Sequence, residues 1–152
     1  MNHAETNAAA HFLAARTVYK VINRKPVASL SVEDPNSTFA TIRLEIKGSY
    51  SAFLKGGDVA ARDKAGDQAL SYLIGIAACA RFCRMVPPRW PEAFQSLERH
   101  PALFHIRQKA ARFVSEHWPT IARLGAELAF EGRVSPAAVY RMLNASPPVE
   151  AA

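Results

Sequence analysis

The chain is expected to fold as an α+β domain that is mostly α, with an N-terminal helix, a β-hairpin, a buried central helix and a C-terminal helical hairpin. Three observations predict this. Long stretches repeat apolar residues every three to four positions, one stretch switches to a period of two, and proline and glycine fall at the joins. With 152 residues, 49% of them hydrophobic, the chain can bury one core without disulfide or metal staples. Residues 1–145 read as a single domain and 146–152, rich in proline and alanine, as a flexible tail.

Residues 1–6 are polar and expected to fray. From Asn7 to Asn23, Phe12, Ala15, Tyr19 and Ile22 recur as on one helix face, and Lys25-Pro26 stops that helix. Ala28, Leu30 and Val32 then alternate with Ser29 and Ser31. Ala40, Ile42, Leu44 and Ile46 alternate with Thr41, Arg43, Glu45 and Lys47. Asp34-Pro35-Asn36-Ser37 supplies turn chemistry between them, which predicts a hairpin. Residues 48–58, with Gly48, Gly56 and Gly57, read as a loop.

Residues 59–85 predict a helix whose second half, Leu70 to Met85, is apolar nearly all round and therefore buried. Pro87-Pro88 ends it, and Trp90-Pro91 opens a short helix to about Arg99. His100-Pro101 restarts the chain into a helix from Ala102 to about Glu116, and Trp118-Pro119 breaks it. A further helix from Thr120 to Glu131 closes on Gly132 as a left-handed C-cap. Ser135 caps a last short helix with Pro136 at its first position.

The longest apolar run, Ala69 to Ala80, is too short to cross a bilayer, and no signal-peptide pattern opens the chain. Cys79 and Cys83 lie four apart on a helix, where a bridge is geometrically disfavoured, so they read as reduced, buried thiols. Both points predict a cytoplasmic protein without contact with a membrane. The net charge of +6 calls for an acidic partner such as nucleic acid or an anionic protein face. Its carriers are spread along the chain: Arg81, Arg84 and Arg89, then Arg107, Lys109 and Arg112, then Arg133 and Arg141.

Three segments follow the order of a known domain. Lys25-Pro26-Val27 leads to Leu30-Ser31-Val32, Leu73-Ile74-Gly75-Ile76-Ala77-Ala78 lies mid-helix, and His117-Trp118-Pro119-Thr120-Ile121 runs on to Leu124, Glu127-Leu128 and Gly132-Arg133-Val134-Ser135. The chain thereby resembles the peptidase domain of FtsH-type ATP-dependent zinc metalloproteases. These motifs match the family's G-R-P-V entry to its first strand, its L-A-G-x-A-A helix and its terminal helices.

The family's H-E-x-x-H is missing. That motif works because histidines four apart on a helix meet one metal while the glutamate activates its water. Here the stretch is His11-Phe12-Leu13-Ala14-Ala15-Arg16. With His11 on the first histidine, Phe12 stands for the base and Ala15 for the second ligand. Anchored on Pro26 instead, Phe12 and Arg16 take the ligand positions. Neither register holds a cation, and the acids that end the family's L-A-G-x-A-A-E-E pattern are replaced by Cys79-Ala80. The resemblance therefore implies a degenerate scaffold with no catalytic residue, no metal and no cofactor. His3, His100, His105 and His117 are scattered and read as surface or capping residues. No nucleophile-elbow, phosphate-loop or dinucleotide fingerprint is present.

A second resemblance covers residues 127–144, which look similar to a repressor-type helix-turn-helix. Ala129 and Val139 have the separation of that motif's core contacts, and Ser135 opens the would-be recognition helix. Gly132 falls one position early, and Pro136, Ala137 and Ala138 offer a base edge little to bond.

The expected function is thus a non-catalytic, metalloprotease-like domain acting by macromolecular binding, as inhibitor, adaptor or regulator of a protein or nucleoprotein assembly with an acidic surface. The alternative is a nucleic-acid-binding regulator using residues 120–144.

Overall fold

The computed structural model describes residues 3–34, 44–45, 47–48, 51–55, 57–83 and 101–148. Three long helices carry it: α1 (His3–Ile22), α2 (Val59–Cys83) and α3 (Phe104–Glu131), the last entered through a single 3-10 turn, Pro101–Leu103. Each packs on the other two. A two-stranded antiparallel sheet, β1 (Leu30–Ser31) and β2 (Arg133–Val134), and a short α4 (Pro136–Met142) close one end. The domain is therefore α+β and mostly α.

Helix α1 is the innermost element. Ala8, Ala9, Ala10, Ala14 and Ala15 are all buried, and their small side chains let two neighbouring helices approach closely. Between the alanines stand two rings, His11 and Phe12, both buried. Each faces a glycine. A Cβ on Gly75 of α2 would meet the Phe12 ring at 2.8 Å, and one on Gly125 of α3 would meet His11 at 2.7 Å. Ile22, counted on the dry face by its spacing, is 49% exposed because α1 ends there.

The second half of α2 is buried as far as Cys79, through Ala69, Tyr72, Leu73, Ile74, Ile76, Ala78 and Cys79, but Arg81 and Phe82 in its last turn are exposed, and residues 84–85 lie outside the described residues. Around Pro119 the expectation fails. Residues 104–131 form one continuous helix with that proline inside it. The missing amide leaves the Ser115 carbonyl without its helical donor, but Ser115 and Pro119 both face solvent, so water can replace the bond. The buried stripe Ala110, Val114, Ile121, Leu124 and Leu128 runs straight past the proline and holds the two halves in line.

The expected hairpin is also corrected. Strand β1 pairs with β2, Leu30 opposite Val134 and Ser31 opposite Arg133, and Val32 N–H donates to the Gly132 carbonyl at 2.9 Å. Residues 44–45 and 47, assigned above to the second strand, are helical, as are 48 and 51–55 in the expected loop. The Tyr72 hydroxyl of α2 donates to Glu45 at 2.6 Å, and Phe53 lies against Gly66. This segment is thus laid on α2 instead of being paired with β1. The turn at 35–37, residues 40–43 and the short helix from Trp90 to Arg99 lie outside the described residues.

The caps follow the local chemistry. Gly132 has φ 78° and returns its N–H to the Leu128 carbonyl at 2.9 Å. Ser135 accepts from the Ala138 amide at 3.2 Å, with Pro136 in the first turn of α4.

Candidate macromolecule-binding surface

Around His11, in the stretch set against H-E-x-x-H in the sequence analysis, α1 carries a closed aromatic cluster. The His11 ring stacks on Phe82 with centroids 3.9 Å apart and planes 17° apart, and on Trp118 at 6.1 Å. Its Nδ1–H donates to the Asn7 carbonyl one turn earlier at 2.7 Å, which fixes the neutral tautomer. The remaining ring edge, Cδ2 and Nε2, lies against Gly125. Burial pushes the His11 pKa below its ordinary value, and the Asn7 hydrogen bond opposes this only in part.

Arg16, the other residue placed at a ligand position, is engaged as well. Its guanidinium lies 4.0 Å over the Tyr72 ring, and its Nε–H donates to Ser71 Oγ at 3.1 Å. Beside it on α1, the Tyr19 hydroxyl donates to Asp67, which also receives Lys25. Desolvation pushes the Asp67 carboxyl up, but the hydrogen bonds from Lys25 and Tyr19 and the Lys25 charge together outweigh it, so that carboxyl titrates below its ordinary value. This polar seam fixes α1 on α2. Among the described residues, no three His, Cys, Asp or Glu side chains come together in a group that could hold a metal ion.

Of the remaining histidines, the His3 side chain and His100 lie outside the described residues. His105 is exposed with its ring edge on Phe104, and half-buried His117 lies against Phe113 at 4.4 Å. Cys79 is fully buried. Phe82, which lies inside the Leu70 to Met85 stretch expected to be buried, is 42% exposed.

The predicted basic residues fall in three places. Arg81 lies over Trp118 at 4.8 Å, and Arg107 over Phe104 at 5.9 Å, with one guanidinium nitrogen of Arg107 enclosed and without a hydrogen-bond partner. Lys109 and Arg112 line a groove of 210 Å³ on another side of α3, beside Leu70 and Phe113. Arg133 and Arg141 line a cleft of 510 Å³ with Arg123, Glu127 and Glu131. In that cleft Arg133 is paired to Glu33 at 2.9 Å and Arg123 donates to the Met142 carbonyl at 2.9 Å. Arg84 and Arg89 lie outside the described residues.

The helix-turn-helix expectation fares unevenly. Val139 is buried and Ala129 packs against the same core, as that motif requires. However, the helix before the turn is 28 residues long and the would-be recognition helix only 7.

Spacing arguments missed the aromatic platform of Phe82 and Trp118. The signal was present in Arg81-Phe82, an arginine next to an aromatic residue at the end of an apolar run, but nothing local said which side of α2 faced water. No family model matches the chain, and neither a curated protein nor a solved structure is detectably similar to it.

Proposed function

We propose that the chain is a non-catalytic, metalloprotease-like domain that works by binding another macromolecule, as part of or as regulator of a larger assembly. The observation that supports this most directly is the surroundings of His11. One ring nitrogen is committed to a backbone carbonyl, the opposite edge is closed by Gly125, and the ring face is closed by Phe82. A water-activating metal site needs an imidazole nitrogen aimed into an open cleft, with further ligands beside it. The fit of α1 among alanines and glycines supports a scaffold kept for its shape, and the charge of +6 supports an acidic partner.

Two measurements on the full chain test the reading. Metal analysis and peptide hydrolysis should give neither stoichiometric zinc nor turnover, and native purification should retain a macromolecular partner, whose loss or survival under nuclease tells nucleic acid from protein. Zinc bound one to one, with hydrolysis abolished by His11→Ala, would overturn it. The alternative through residues 120–144 gains less support, because Glu127, Glu131 and Glu33 offset the arginines of that cleft.

A further inference from the structure

Two arginine–aromatic pairs border the same side of α3. Arg107 and Trp118 are eleven residues apart, which is three turns, so they share a helix face about 16 Å apart along the axis. Arg81 reaches that face from the end of α2 and covers Trp118, while Arg107 covers Phe104. Among the described residues neither guanidinium meets a carboxylate. Arg133, by contrast, is paired to Glu33. A guanidinium lying on a ring can still offer in-plane N–H groups to an incoming oxyanion; in Arg107 one terminal nitrogen is enclosed, so the others serve.

The rings between them are open to water. Phe82 is 42% and Phe104 49% exposed. Phe82 stacks on the buried His11 with planes 17° apart, which sets the tilt of its ring. Resting on the reading of the chain as a non-catalytic binding domain, we infer that the Arg81, Phe82 and Trp118 edge, continued by Arg107 and Phe104, is a stacking surface for single-stranded nucleic acid. A base continues the His11–Phe82 stack, and the accessible N–H groups of the two guanidiniums receive phosphates.

An acidic protein face would use the arginines, but its carboxylates would not stack on the aromatic surface. A duplex would offer phosphates while keeping its bases stacked inside. A single strand alone uses both features, and its recognition is tolerant of sequence.

The test is fluorescence anisotropy of the full chain at low salt. The probes are a labelled mixed-sequence single-stranded oligonucleotide, its duplex and an acidic peptide. The expected result is preference for the single strand. Phe82→Leu, which keeps apolar bulk over His11, should weaken it roughly tenfold or more. Arg81→Ala and Arg107→Ala should each lower the salt slope by about one. Equal binding of duplex and single strand with Phe82→Leu unchanged would overturn the inference, as would tighter binding of the acidic peptide or no binding at all. Should Phe82→Leu melt early, the exposed Arg81→Ala decides through its salt slope. A protein partner retained after nuclease, with no anisotropy change, would remove this surface and leave the broader reading standing. Zinc-dependent hydrolysis would do the reverse.

Discussion

Gly125 of α3 lies against the ring of His11 in α1, so closely that a Cβ added there would stand 2.7 Å from the imidazole Cδ2. The ring cannot retreat, because Phe82 stacks on its face and Asn7 holds its Nδ1. The position tolerates no side chain, although glycine is an unfavourable residue in mid-helix.

Gly125→Ala should therefore lower stability by about 1–3 kcal/mol through overpacking. Gly75→Ala, aimed at the Phe12 ring at 2.8 Å, should behave alike. Gly66 is the contrast, since its nearest neighbour would be Phe53 at an ordinary 3.5 Å. Gly66→Ala should be neutral or stabilising by up to about 1 kcal/mol from helix propensity. Chemical denaturation of the three variants checks the order, and a destabilised Gly66→Ala would contradict the packing described.

Acid should loosen the domain before its carboxylates protonate. His11 is held neutral by burial, with a folded pKa below its ordinary 6.5. The unfolded chain takes up a proton as pH falls below about 6.5, while the folded one resists it, so stability present above that value is lost on the way down. Asp67, whose pKa is lowered from 3.8, loses its contribution only in a more acidic range. Thermal melts from pH 7.5 to 5 should fall for the parent chain, and His11→Gln should flatten that dependence. An unchanged slope would place the proton uptake elsewhere.

Pro119 interrupts the hydrogen bonding of a helix that continues on both sides of it. Pro119→Ala restores the donor to the Ser115 carbonyl and should raise stability, by up to about 3 kcal/mol less the gain in unfolded-chain freedom. Greater helicity with a higher melting temperature is expected. A loss would show that two helices meet at a break here.

The junction at 132–135 rests on two local devices. Ser135→Ala removes the acceptor of the Ala138 amide and should cost about 1 kcal/mol. Gly132→Ala forces a φ of 78° on a residue with a Cβ and should cost about as much. Because β2 lies between them, both should also speed amide exchange at Val32, whose N–H is bonded to the Gly132 carbonyl.

These two devices were the most legible part of the sequence, because a glycine after the last periodic residue and a Ser-Pro pair act on their own neighbours. The buried second half of α2 was legible for a similar reason, since no wet face interrupts it. What the sequence hid was choice of partner. The alternation from Ala40 to Lys47 describes two faces but names no neighbour, and Glu45 instead reaches Tyr72 on α2. Pro119 carried a real local preference that the buried stripe on either side of it overrode. Within the candidate surface, the arginines were visible from composition, but their division among three places was not. The stack of His11, Phe82 and Trp118 joins three helices, and no window of sequence contains it.

Leu30 finds its hydrogen-bonding neighbour in Val134. During synthesis the first of these leaves the ribosome about a hundred residues ahead of the second, a delay of roughly 5–20 s at ordinary elongation rates. Throughout that interval the early strand keeps bare amides and carbonyls, the kind of edge on which chains mispair with one another. Its brevity, two residues flanked by Ser29 and Glu33, limits what a stranger could zip onto it.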